Sequence, residues 1–359
     1  MIPLRLEVVA EGSEPFVTRL RRGQAASGGD SVMIEDGAEG AVFAGAKGLL
    51  VTGPLPPEGF EDDVILVHPA AGRAERLIRA GSAHNSLLVT ERCDQLCVMC
   101  SQPPKKSHVD RFQLLKEACL LAPDAATIGI SGGEPTLYKE QLLSLVEDVA
   151  AKRPDLAFHI LSNGQHFDEG DVARLRSPAF RRVAWGIPLY AAEAELHDEI
   201  VGKAGAFERL HSSFAHLLRS GARIELRTVL MQANAPGLDK LATYVSNRLR
   251  FIETWSIMQL EHIGFAKNRW NSLYFDHRSD FGPVGRALDR ALVRGIPVRL
   301  FNFPRCSVPA PYRPLAAASI SDWKRKYMPD CDGCAERDAC TGFFEWHPVD
   351  HISAKVTPL

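Results

Sequence analysis

The stretch Val89–Pro104, VTERCDQLCVMCSQPP, decides how the rest of the chain reads. It packs Cys93, Cys97 and Cys100 into eight residues of a protein with only eight cysteines. Thiols at spacings of four and three can reach one metal centre. Three is an odd number for a structural ion, which takes a closed set of four ligands. It suits a [4Fe–4S] cubane with one iron left open for a non-protein ligand. A zinc knuckle with a distant fourth ligand is the alternative reading of the same spacing.

Outward from that loop, the chain repeats strand, loop and helix. Strands are predicted at Ser86–Val89, Ala125–Ile130, Phe158–Leu161, Val183–Leu189, Arg223–Leu230 and Glu253–Leu260. Helices are predicted at Arg111–Leu121, Lys139–Ala151, Asp168–Leu175, Phe207–Arg219, Leu238–Leu249 and Val284–Val293. Strands separated by helix-length segments argue for βαβ units and a parallel sheet. The expected class is α/β: a partial (β/α)6 barrel of the TIM type, with its site at the C-terminal ends of the strands.

Two flanking regions have a different texture. Residues 1–85 read as a small β-rich module. Leu4, Leu6 and Val8 alternate with Arg5 and Glu7, Val64–Val67 is a second run, and Pro54, Pro56 and Pro57 mark turns. Gly23–Gly40 is rich in Gly, Ser and Asp and reads as a flexible loop. Strand addition to a peptide leader is the expected use of this module. Residues 86–300 are the barrel, and residues 301–359 a Cys-rich extension that opens on a short β run, Val298–Phe303.

The 359 residues carry a net charge of −2, with 45% hydrophobic and 24% charged residues. Such a chain buries a core without disulfides and has no general attraction for nucleic acid or anionic membrane. No signal peptide or membrane-length apolar run is visible, so a cytoplasmic location is expected. There, clustered thiols read as metal ligands before they read as disulfides.

The motifs together resemble the radical S-adenosylmethionine (SAM) superfamily. Cys93-x3-Cys97-x2-Cys100 follows the first strand, Gly132-Gly133-Glu134-Pro135 the second, and Ser162-Asn163-Gly164 the third. The resemblance implies a [4Fe–4S] cluster on Cys93, Cys97 and Cys100 that reductively cleaves SAM to a 5′-deoxyadenosyl radical. It implies that Gly132, Gly133, Glu134 and Pro135 hold the SAM amino end, and that Ser162 and Asn163 face the ribose. The position before the third cysteine is usually aromatic in the family; here it is Met99, a thioether that can cover the adenine. Arg227, on the fifth strand, is expected to meet either the SAM carboxylate or an acid such as Glu225 or Glu261. Tyr190, His197 and Glu261 fall near strand ends, where each is more often structural than catalytic.

Cys306, Cys331, Cys334 and Cys340 supply four further thiols, enough to close a coordination sphere. Zinc and an auxiliary [4Fe–4S] cluster both fit; the resemblance favours the cluster. Cys119 reads as a buried helix residue. CVMCSQPPK, Met258–Ala266 and Phe303-Pro304-Arg305-Cys306 resemble the His-Xaa-Ser system radical SAM maturases. That resemblance implies a precursor peptide substrate, an external electron donor of flavodoxin or ferredoxin type, and a second radical SAM maturase as partner. A small molecule or RNA as substrate, and a non-enzymatic zinc scaffold, are the competing readings.

Overall fold

A computed structural model describes residues 2–55 and 59–359; Pro56 and Pro57, read above as turn residues, lie outside them. Two compact units divide the chain. One comprises Met1–Val89, Val109–Ser131 and Tyr138–His159; the other comprises Thr90–His108, Gly132–Leu137 and Ile160–Leu359.

Seven strands near the N-terminus close into a barrel: β1 (Arg5–Ala10), β2 (Phe16–Arg21), β3 (Asp30–Gly37), β4 (Gly40–Gly45), β5 (Gly48–Thr52), β6 (Val64–His68) and β7 (Arg73–Ile78). Alternate residues point inward, so Phe16, Leu20, Phe43, Leu50, Ile65 and Val67 share one core with Phe60. Phe43 and Phe60 meet edge to face at 5.3 Å.

Two expectations for this region are corrected. The Gly/Ser/Asp-rich stretch expected as a loop contains β3, which pairs with β4 from Ser31↔Gly45 onward. Asp30 starts it: its carboxylate accepts hydrogen bonds from Arg19 and from the backbone N–H of Ala26 and Ser27, pinning the turn ahead of the strand. And because the barrel is closed, its described strands leave no edge for a peptide to extend.

The second sheet is the expected α/β element. It has seven strands in the order β14-β13-β12-β11-β10-β9-β8. These are β8 (Asn85–Thr90), β9 (Thr127–Gly132), β10 (Ala157–Leu161), β11 (Val183–Pro188), β12 (Arg223–Leu230), β13 (Thr254–Gln259) and β14 (Val298–Phe301). Spatial neighbours are sequence neighbours, which is how βα units wind part of a barrel. The short run at Val298 is the seventh strand, registered parallel to β13 through Trp255↔Val298 and Ile257↔Leu300. The helices are α1 (Phe112–Leu120), α2 (Lys139–Lys152), α3 (Asp171–Leu175), α4 (Ala194–Val201), α5 (Ala206–Ser220), α6 (Leu238–Arg248), α7 (Gly264–Asn268), α8 (Trp270–Leu273) and α9 (Gly282–Val293).

Helix α5 shows why such segments fold this way. Phe207, Leu210, Phe214 and Leu217 recur at spacings of three and four and are all buried. Gly221 ends the helix at φ +72°, where its N–H caps the carbonyl of Leu217. Leu217→Ala would cost about 2–5 kcal/mol by leaving a cavity. In β12, Ile224, Leu226, Thr228 and Leu230 are all buried, as a covered parallel strand requires.

Candidate active site and metal centres

The cysteine loop leaves β8 and is braced from below by the turn that follows β9. Gly133 N–H donates to Thr90 O at 2.9 Å, and Glu134 N–H to Arg92 O at 2.7 Å. The two glycines permit that approach: a Cβ on Gly132 would lie 2.6 Å from the Thr90 carbonyl oxygen, and one on Gly133 would strike the Arg92 carbonyl.

Glu134 is buried, and its carboxylate is fully used. Thr136 N–H and Thr136 Oγ1 donate to Oε1 at 2.8 and 2.5 Å. Ser162 Oγ donates to Oε1 at 2.8 Å, and Asn163 N–H to Oε2 at 2.5 Å. Burial still pushes the carboxyl above its ordinary value, against the pull of those donors. Glu134 therefore rivets the GGEP turn to the Ser-Asn-Gly turn after β10. Pro135 is buried and opens the short 3-10 turn that ends at Tyr138.

Asn163 is engaged at both ends of its amide. Its Nδ2 donates to Asp94 Oδ1 at 2.8 Å, and its Oδ1 accepts from Gln165 N–H at 3.1 Å. Asp94 lies inside the cysteine loop and also takes Lys203 Nζ and His166 Nε2, the latter at 3.2 Å. Burial pushes its carboxyl up, but the hydrogen bonds from His166 and Lys203 outweigh this and hold it well below the usual carboxylate range. Sequence reading missed Asp94, His166 and Lys203. The only sequence signal was an acid directly after the first cysteine.

Above this brace stand the three thiols. All eight cysteines of the chain are free. Burial pushes Cys93 up to about 11 and Cys97 up to about 12, and raises Cys100. The neighbouring cysteines raise Cys97 further, so the three stand within electrostatic reach of one another. A bound cation would displace the thiol protons to solvent and hold the thiolates. Among the described residues no three Cys, His, Asp or Glu side chains are arranged around a single ion. A cubane takes each thiolate on a different iron, which spreads the sulfurs wider than a single zinc ion does. Three thiols in one short loop leave one iron of such a cubane open, and in that number the donor set fits a cluster.

The remaining expected residues are accounted for individually. Met99 turns into an apolar cluster with Ile200, Met231, Leu260, Trp270 and Tyr274. Arg227 pairs with Glu225 at 2.9 Å, and Glu225 also accepts Ser256 Oγ at 2.5 Å, the ion-pair outcome foreseen for it. Tyr190 joins the apolar cluster beside Cys97, and burial, then the Cys97 charge, push its phenol above the ordinary value. His197 stacks on Tyr190 with centroids 5.7 Å apart. Burial raises Glu261 against the opposing charge of Lys324. Cys119 is fully buried in α1.

The tail cysteines converge as well. Cys306, Cys331, Cys334 and Cys340 line one cavity together with Tyr327 and Phe343. Their sulfurs already accept hydrogen bonds: Cys340 from Arg305 N–H and Gly342 N–H, both at 3.4 Å, and Cys334 from Leu359 N–H at 3.5 Å. Arg278 Nη2 points at Cys306 Sγ from 3.7 Å. Three of the four sulfurs thus meet N–H or guanidinium donors, and the set fits a negatively charged four-thiolate centre.

Comparisons with known proteins follow the same lines. Residues 87–234 match the family model described as the radical SAM superfamily. A PqqA peptide cyclase from Methylocella silvestris is 27% identical over 157 residues, which cover 41% of this chain and 39% of that protein. The chain thus spans about two fifths of the length of that curated relative. Among solved structures, SuiB from Streptococcus suis bound to S-adenosylmethionine aligns at 15% identity and a TM-score of 0.48, covering 60% of this chain and 49% of that one. A radical SAM methyltransferase from Sphaerobacter thermophilus aligns at 14% identity and a TM-score of 0.46, covering 79% and 76%.

Proposed function

We infer, from a chain whose residues 87–234 form a radical SAM domain, an enzyme that matures a ribosomally made peptide by hydrogen abstraction. The observation that carries the reading is the three-thiol loop locked onto two turns: the Glu134 N–H bonds the Arg92 carbonyl on the β9 side, and Asn163 bonds the loop's Asp94 on the β10 side. The peptide substrate rests on the relative whose name gives it a peptide to cyclise.

Cys93, Cys97 and Cys100 would hold the [4Fe–4S] cluster, leaving one iron for SAM. When bound, that pair supplies reductive cleavage of the sulfonium–carbon bond to a 5′-deoxyadenosyl radical. The chain's own residues do the positioning. Gly132 and Gly133 keep the β9 turn tight against the loop, where the turn would face the amino end of bound SAM. Asp94 holds the loop's register through Lys203 and Asn163. The cluster of Met99, Tyr190 and Trp270 keeps water and stray hydrogen donors away from one flank. Reduction needs an external donor of flavodoxin or ferredoxin type.

Cys306, Cys331, Cys334 and Cys340 would hold an auxiliary [4Fe–4S] cluster, supported by their convergence on one cavity. The finer reading is a His-Xaa-Ser system maturase, partnered by a second radical SAM protein and working in the cytoplasm. Among the described residues no helix is long and apolar enough to cross a membrane.

Anaerobic reconstitution tests the core of this. Reduced protein with SAM should release 5′-deoxyadenosine, and a synthetic peptide with His-Xaa-Ser repeats should change mass in its presence. A colourless zinc protein without 5′-deoxyadenosine would refute the enzyme. Turnover of SAM with no mass change in that peptide would refute the subfamily alone.

A further inference from the structure

The helical connection between β13 and β14 opens into a cleft of about 460 Å3, lined by His262, Lys267, Arg269, Trp270, Asn271 and His351 among others. That volume falls within the roughly 300–1,000 Å3 of ligand-holding clefts. None of its lining residues is acidic. Apart from Trp270, none of these lining residues has a role assigned above.

Its two permanent cations differ. Arg269 is tethered: its Nη1 donates to Val98 O, within the cysteine loop, at 3.0 Å, and its guanidinium lies 4.8 Å over the Phe265 ring. Lys267 is exposed and makes no ion pair among the described residues. Trp270 lines the same cleft; it is only 6% exposed, with an indole Nε1 that is buried without a hydrogen-bond partner. The ring cannot easily swing to find one. It stacks on Tyr274 at 4.7 Å and meets His262 edge-on at 4.8 Å. A buried N–H left unpaired is costly, and an incoming oxygen acceptor would relieve it.

A free ammonium, a rigid unsatisfied N–H and an acid-free concave wall select a carboxylate. We propose that this cleft anchors an Asp or Glu side chain of the peptide substrate, with Lys267 supplying the charge and Trp270 the directed hydrogen bond. The proposal rests on the peptide reading above and deepens it. Concavity and the buried donor favour a peptide side chain over an acidic electron carrier, which would meet a broad convex surface.

The test uses the full reconstituted chain under anaerobic conditions. A fluorescent hexapeptide, Gly-Gly-Glu-Glu-Gly-Gly, and its Gln-Gln counterpart are titrated by anisotropy. The acidic peptide should bind at least tenfold tighter than the amide. Lys267→Glu should weaken it at least tenfold and restore binding to a Lys-Lys peptide. Trp270→Phe, which keeps the ring and removes the N–H, should weaken the acidic peptide severalfold. SAM cleavage driven by dithionite without peptide should be unchanged in Lys267→Glu. Equal binding of the two peptides, or no effect of Lys267→Glu, overturns the proposal. So does a Lys267→Glu protein that fails only when reduced flavodoxin supplies the electron, since the cleft would then serve a redox partner. SAM cleavage without peptide binding sinks this proposal alone; absent SAM cleavage in the unaltered chain sinks the radical-enzyme reading instead.

Discussion

Two cysteine groups sit on one chain and face opposite problems. The loop of Cys93, Cys97 and Cys100 offers three thiols and is tied to its neighbouring turns through its own Asp94 and the Arg92 carbonyl, with the Gln95 N–H on Cys93 Sγ at 3.4 Å. The tail group offers four around one cavity and is held from inside, by N–H and guanidinium donors aimed at the sulfurs themselves. An open coordination position leaves its site reactive, so that loop needs bracing that does not consume the ligand side. A closed set needs only charge compensation. On the reading proposed above, ligand count separates a working centre from a supporting one.

The largest effect should come from breaking one group while sparing the other. Cys97→Ala should abolish 5′-deoxyadenosine formation, whereas Cys334→Ala should keep it and lose about half of the iron and sulfide. Chromatography of the nucleoside with metal analysis reads both. Loss of cleavage in both variants would erase the distinction between the groups.

Next comes the brace. Glu134→Gln places an amide N–H2 among four donors, so one buried donor must go unpaired. The expected cost is about 3 kcal/mol in urea unfolding, with slowed SAM cleavage. A stable, fully active variant would show that the two turns are held by their backbones alone.

Acid sharpens the comparison further, because buried neutral histidines pack beside both groups of cysteines. Burial pushes His277 down to about 3, and His197, beside the loop's apolar cluster, down to about 4. Above the unfolded value near 6.5 neither state is protonated and the two groups cost nothing. Below it the unfolded chain takes up protons that the folded chain refuses. Stability should then fall by about 1.4 kcal/mol per pH unit for each histidine until the folded values are reached. Urea midpoints between pH 7 and pH 5 measure this, and His277→Gln should flatten the slope. An unchanged slope would mean that His277 titrates normally in the folded protein.

The smallest effect is expected at Asp94→Asn. Its pairing with Lys203 is partly solvent-exposed, so the loss should be about 1 kcal/mol in stability. A severalfold drop in SAM cleavage should accompany it if loop register matters. Unchanged cleavage would reduce Asp94 to a surface ion pair.

Legibility followed distance along the chain. The βα alternation was readable because each strand or helix carries its own hydrophobic period, and the cysteine spacing lies within eight residues. Arg227 was readable because its partner Glu225 is two residues away on the same face of the strand. Asp94 was not, because Lys203 is 109 residues distant. Glycine and serine content suggested a loop at residues 23–40, but strand pairing with β4 overrode that local preference.

From its order of residues alone, the chain settled which side chains could be ligands and which segments could be strands or helices. Periodicity and spacing are properties of neighbouring residues, and they survive without a fold. Tertiary structure alone decided that β1–β7 close without an edge, that β14 joins the second sheet, and that the Glu134 carboxylate takes hydrogen bonds from Thr136, Ser162 and Asn163. Those outcomes depend on which distant groups can satisfy a buried charge or an unpaired backbone, and desolvation makes that choice only once the chain is packed.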